Sequence, residues 1–242
     1  MIYLLLVKIS FLFYRAGEIL IRVFKRILRF LFHPRYLFSS FAEDLTYYKE
    51  ASLLTILGLW MLEWLILILD IVGLPEWYES FADILKFNTR PLTKNEMAIG
   101  QSVFGSSINW ERVRIDERSY IGPKQKRMIY VSFYTINAYG PMSIETFVHE
   151  LVHIWQFENV GSCYIPRALF AQTTTMGYNY GGLNALILNM EKNGGLAAFN
   201  YEQQADIVMD YFNLKTNRPL KWSNANQANF EVFEYYWKEV YD

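Results

Sequence analysis

Polar positions are sparse and regular in residues 1–35. Lys8, Arg15, Glu18, Arg22, Lys25, Arg26 and Arg29 recur at separations of three, four and seven. The positions between them are mostly Leu, Ile, Phe and Val. That spacing predicts an amphipathic helix with one basic stripe, ending near His33-Pro34. A second apolar run, 51–74, contains no Lys or Arg and is long enough to cross a bilayer. Glu63 and Asp70 interrupt it on one helical face, where carboxylates at membrane depth are costly. Pairing with the basic stripe in a helical hairpin, or a helix lying in the interface, would relieve that cost. Trp60, Trp64 and Trp77 suit a membrane interface.

The pattern changes after residue 75. Residues 75–100 read as a short helix and a connection. Trp110–Asp116 alternates Val113 and Ile115 with charged residues, and Met128–Asn137 alternates Ile129, Val131 and Phe133, so both are predicted strands. The 122–127 segment, Gly-Pro followed by basic residues, reads as a solvated loop between them. Helical patterns follow at 143–160, 168–180, 183–192, 200–212 and 225–241, with glycines interrupting at 177–182. The expected class is therefore α+β: a mostly helical domain with a small sheet at 86–242, preceded by membrane-associated helices within 1–85.

Composition sharpens two points. Apolar residues make up 52% of the chain, enough for a sizeable core, and the net charge of −1 argues against general nucleic-acid binding. That near-neutrality hides an asymmetry. Residues 1–35 carry seven basic residues against Glu18 alone, so lipid contact through 1–74 is expected on anionic membrane surfaces. A single span would leave the N-terminus cytoplasmic and the rest outside. Cys163 is the chain's one cysteine, which excludes an internal disulfide.

The chemistry is concentrated in His149-Glu150-Leu151-Val152-His153. Residues four apart share a helical face, so both imidazoles can reach one metal ion and Glu150 can act on a water beside it. Apolar Phe147, Val148, Leu151, Val152 and Trp155 surround the trio, and buried polar groups need partners. The donor types point to Zn²⁺ with a third protein ligand and one open position. The other histidine, His33, lies in the distant basic segment. Gln156 and Asn159 stand where a metzincin needs Gly and His. A carboxylate is therefore expected, with Cys163 as the lesser option. Asn200 and Gln203 form a capping-box pattern at a helix start, and Glu202 and Asp206 follow one turn apart. Glu202 can ligate the metal, and Asp206 can accept from a ligand imidazole. Asp210 is the remaining alternative.

The Glu-x-x-Ala-Asp pattern downstream of HExxH resembles the thermolysin-like (gluzincin) arrangement. That resemblance implies Glu202 as third ligand and Asp206 as support for His149. A closer resemblance covers about residues 90–215. It rests on Val103-Phe-Gly-Ser-Ser-Ile-Asn-Trp-Glu-Arg-Val-Arg-Ile115, on His149–Gln156 and on Glu202–Phe212. These stretches are similar to bacterial metallopeptidase domains linked to Rhs, Vgr and contractile-injection proteins. The resemblance implies a zincin-like fold, hydrolysis of a peptide or protein substrate with Glu150 as general base, and secretion-apparatus partners. The competing expectation is a non-hydrolytic structural or effector component of such an apparatus.

Overall fold

The computed structural model describes residues 2–42, 51–86, 88–120, 124 and 128–241, with only the helical backbone at 2–8 and 36–42. Its helices are α1 (Ile2–Ala42), α2 (Leu53–Ile71), α3 (Leu74–Leu85), α4 (Lys94–Phe104), α5 (Ile144–Val160), α6 (Tyr164–Ala171), α7 (Gly182–Glu191), α8 (Tyr201–Lys215) and α9 (Phe230–Trp237). Its strands are β1 (Thr89–Pro91), β2 (Arg114–Asp116), β3 (Tyr130–Ser132) and β4 (Thr135–Asn137). The molecule is mostly helical with one small mixed sheet. The loop expected at 122–127 lies outside the described residues, apart from Lys124.

The sheet runs β1-β2-β4-β3, antiparallel at both edges and parallel between β2 and β4. Ile115 lies opposite Ile136, and Ile136 opposite Val131, so the three form one apolar row. All three share a core with Val148, Leu151 and Val152 of α5. The HExxH helix thus lies on the sheet with its apolar face down. Ser143 caps it by accepting from the Thr146 amide, and Gly161 ends it at φ 71°, a left-handed conformation that glycine adopts without strain. α4 approaches closely because Gly100 has no side chain; a Cβ there would stand 2.6 Å from the Trp110 ring.

Three local expectations need correction. The connection within 75–100 holds β1 and α4, whose start is a complete capping box of Thr93 and Glu96. The strand expected over 128–137 is a hairpin, β3–β4, turning at Phe133 with φ 58°. Tertiary bonds hold that turn: the Phe133 amide donates to the Tyr164 hydroxyl, and the Tyr134 amide to Glu79. The helix expected over 168–180 spans 164–171 instead. Thr173 and Thr174 turn their hydroxyls onto the Phe170 and Ala171 carbonyls, which competes with helix continuation.

The N-terminal helices also depart from expectation. α1 continues through Pro34, although proline forfeits one helical hydrogen bond. Phe30 stacks on Trp64 and His33 on Trp60, so packing on α2 holds the helix on the near side of the proline. Among the described residues of the basic stripe, Arg15 and Arg26 are buried, Arg22 and Arg29 are half-buried, and Lys25 is exposed. Arg26 pairs with Glu76 at 2.7 Å, and Arg15 reaches Glu79 and Asp83, because α1 packs along α3 as well as α2. Arg112, just before β2, completes this cluster on Glu76 and Glu79. Arg22 pairs with Glu158 near the end of α5, where Lys25 and Arg29 donate to the Glu158 carbonyl. Glu63 pairs with Arg167 of α6 at 2.7 Å and not with the stripe. Asp70 accepts from the Ser162 amide and hydroxyl.

Candidate metal centre

α5 and α8 pack against each other and supply the donors. His149 and His153 project from α5 and Glu202 from the first turn of α8; one ligand atom from each lies within 4.8 Å of the others. Glu202 Oε2 stands 3.2 Å from His149 Nε2 and 3.5 Å from His153 Nε2. All three side chains are buried.

The outward nitrogen of each ring is already committed. His149 Nδ1 lies 2.7 Å from Asp206 Oδ1, and an ionised carboxylate only accepts, so Nδ1 carries the proton. His153 Nδ1 lies 2.8 Å from Gln156 Oε1. The Gln156 amide is itself oriented, because its nitrogen donates to the Tyr201 carbonyl and to Gln204. Both Nε2 atoms therefore face Glu202 and one shared point, and with Nδ1 holding its own proton each Nε2 would give up a proton to become a metal ligand. Gln172 donates to the other Glu202 oxygen at 2.8 Å. Lys221 and the Trp222 indole reach the far oxygen of Asp206.

Glu150 is buried beside the pair, and its Oε2 has no hydrogen-bond partner. A buried carboxylate oxygen without a partner marks the place where a bound group would supply one. Two imidazoles and a carboxylate converging there are a donor set suited to Zn²⁺. The residues present therefore fit the metal that the sequence implies.

The electrostatics agree with this. Burial alone would lower the imidazole of His149, but the Asp206 and Glu202 carboxylates overcome it and push the group up to about 10. Burial opposes ionisation of Glu202, yet the two imidazoles hold its carboxyl well below the usual range. Burial pushes the Glu150 carboxyl up. Carboxylates thus outnumber the nearby cation Lys221, and the same negative potential that favours protonated imidazoles favours a divalent cation.

The cluster opens into a cavity of about 280 Å³. Tyr130 and Val131 of the edge strand β3, Ile165 and Leu169 of α6, and Tyr178 line it. The Tyr178 ring lies 5.9 Å from that of His149. The two tyrosines of the glycine-rich turn therefore part company. Tyr178 faces the cleft, while Tyr180 is buried and donates to Asp210.

The alternative ligands lie elsewhere. Asp210 accepts from Tyr180 and from the Lys221 and Trp222 amides, fixing the segment that contacts Asp206. Cys163 is buried against the Glu63 carbonyl of α2, and His33 against Trp60. Sequence reasoning missed Gln156, Gln172 and Trp222. Gln156 had one available signal, its position three residues beyond His153.

Asn200 places Glu202. Its side chain accepts from the Glu202 and Gln203 amides, Gln203 reciprocates, and its own amide donates to Gly177. Asn200→Ala is expected to cost about 1 kcal/mol, lowering the melting midpoint by roughly 2–4 °C. Asn200→Asp, which keeps the cap acceptor, should recover part of the loss in thermal denaturation. Equal midpoints for Asn200→Ala and the parent would remove the cap from this account.

The site has the form of a buried HExxH centre completed by a glutamate from a following helix. Over 136 residues, 51% of this chain, it is 27% identical to the type VI secretion system spike protein VgrG2b of Pseudomonas aeruginosa. The match spans 13% of that protein's length. No family model matches the chain, and no solved structure matches it.

Proposed function

We propose that the chain is a zinc-dependent peptidase with a zincin-like domain, its metal held by His149, His153 and Glu202. The observation that carries this reading is the pair of Nε2 atoms and the Glu202 carboxylate facing one point, beside the unpartnered Glu150 oxygen in an apolar cleft. Bound Zn²⁺ supplies Lewis acidity, which polarises a carbonyl and acidifies water. Glu150 takes the water's proton and returns it to the leaving amine; burial raises its affinity for that proton. β3 lies at the sheet edge over the cleft, where an extended peptide can add as a further strand. The Tyr178 hydroxyl, on the cleft wall, is a candidate donor to a developing oxyanion.

Secretion-apparatus partners belong to the same proposal and rest on the similarity to the spike protein. That similarity also favours a second reading, a non-hydrolytic component of such an apparatus. Lipid contact by the N-terminal helices completes the proposal; among the described residues one helix, Leu53–Ile71, is long and apolar enough to cross a membrane.

Full-length protein in detergent, incubated with a proteome-derived peptide library, should cleave it. A chelator should abolish cleavage, and added zinc should restore it. Stoichiometric zinc without cleavage would favour the non-hydrolytic reading.

A further inference from the structure

From residue 56 to residue 85 the usual arrangement of a soluble protein is inverted. Every exposed position is apolar or aromatic, Gly58 excepted, and all five charged residues, Glu63, Asp70, Glu76, Glu79 and Asp83, are buried. α3 makes the point in one helix. Leu74, Trp77, Tyr78, Phe81, Ile84 and Leu85 face out, and its three carboxylates face in. α1 follows suit, with Phe13, Leu20, Ile21 and Phe24 each about 70–77% exposed.

The inward faces all meet the same body. α1 contacts it from Phe11, which lies under the Arg114 guanidinium, to Arg29 on the Glu158 carbonyl. That stretch is about 27 Å of helix at 1.5 Å per residue. α2 meets it from Glu63 to Asp70, and α3 through Glu76 on Arg112 and Glu79 on the Tyr134 amide. The three helices therefore form a plate, with the metal-binding body on one face and hydrocarbon side chains on the other.

We infer that this plate enters one leaflet of a lipid bilayer from a single side, with its helices lying in the membrane plane. The inference rests on the lipid contact proposed above and changes its geometry. A helix crossing perpendicular to the membrane would carry Ser162, Arg167 and Glu158 into the hydrocarbon beside it, where polar groups are expensive. An in-plane plate keeps them in water and buries only its outer face, at the depth of interfacial helices. Lipid hydrocarbon fits this face better than a protein does. A protein interface carries about one hydrogen bond per 100–200 Å². The outward residues of α2 and α3 beyond Ile56 offer only the Trp64 and Trp77 indoles and the Tyr78 hydroxyl, groups typical of a headgroup boundary. Arg15, Arg22, Arg26 and Arg29 of the basic stripe are engaged within the protein, so apolar contact rather than anionic headgroups holds the plate in this inference.

The full chain, tagged at both ends and expressed in bacteria, tests this. The membrane fraction should survive a 1 M NaCl wash. Protease should remove both tags in one vesicle orientation, right-side-out or inside-out, and neither tag in the other. Removal of the two tags in opposite orientations would overturn the in-plane arrangement while leaving lipid contact standing. A salt-released protein, or a detergent-free soluble monomer or dimer, would overturn both. Purified protein should also float equally with pure phosphatidylcholine vesicles and with vesicles containing phosphatidylglycerol. The double variant Leu65→Glu with Phe81→Glu, both at exposed positions, should lose flotation by about tenfold or more, with an unchanged circular dichroism spectrum. Flotation that needs anionic lipid, or that the double variant retains, would overturn the inference.

Discussion

Glu202→Ala is expected to abolish tight zinc binding. The substitution removes the only carboxylate oxygen among the three converging donors and leaves two imidazoles, fewer than the three protein ligands a catalytic zinc centre ordinarily holds. It also strands Gln172, whose amide donates to Glu202. Asp206→Ala should behave differently. The donors remain, but His149 Nδ1 loses its acceptor, so the ring is free to reorient or change tautomer. Such supporting groups typically contribute about 10–100-fold in affinity or activity. Competition against a chromophoric chelator separates the two cases: no measurable affinity in the first, a graded loss in the second. Stoichiometric zinc retained by Glu202→Ala after gel filtration would exclude Glu202 as a ligand.

Glu150→Gln should keep full zinc occupancy and lower turnover by roughly 10²–10⁴, the usual contribution of a general base. The amide has the shape of the carboxylate but cannot take the proton. Burial matters to the size of the effect, because the pocket that raises the Glu150 carboxyl also keeps bulk water from substituting for it. Activity per zinc atom is the quantity to measure. Turnover within a factor of about two of the parent would remove Glu150 from the mechanism, since a proton acceptor is worth far more than that.

The parts of this site that were legible in the sequence are those set by helical spacing. His149 and His153 are four apart, as are Glu202 and Asp206, and Asn200 with Gln203 marks where the second helix starts. Two of the supports were not legible, because they come from elsewhere in the chain. Gln172 reaches Glu202 from a turn, and Trp222 reaches Asp206 from the segment that follows α8. The Thr93–Glu96 box is legible in the sequence, inside the stretch that reads as a connection, and it starts α4. The β3–β4 turn carries no such mark, since phenylalanine is a poor residue for positive φ and only tertiary bonds hold it there. The basic stripe was correctly periodic, but periodicity says which residues share a face and not what that face meets.

The ties between α1–α3 and the rest of the molecule bear on how it can be cut. Arg167 grips Glu63 of α2 and, with its other end, the Tyr201 hydroxyl; Tyr201 precedes Glu202, and its carbonyl holds the Gln156 that orients His153. Removal of residues 1–85 would take the carboxylate partners from Arg167 and Arg112 and take Arg22 from Glu158, and would open the surface beneath them to water. The composition boundary near residue 85 is crossed by several ion pairs. A truncated version designed for convenience would be a different and less ordered molecule, with the disturbance transmitted to the imidazoles themselves.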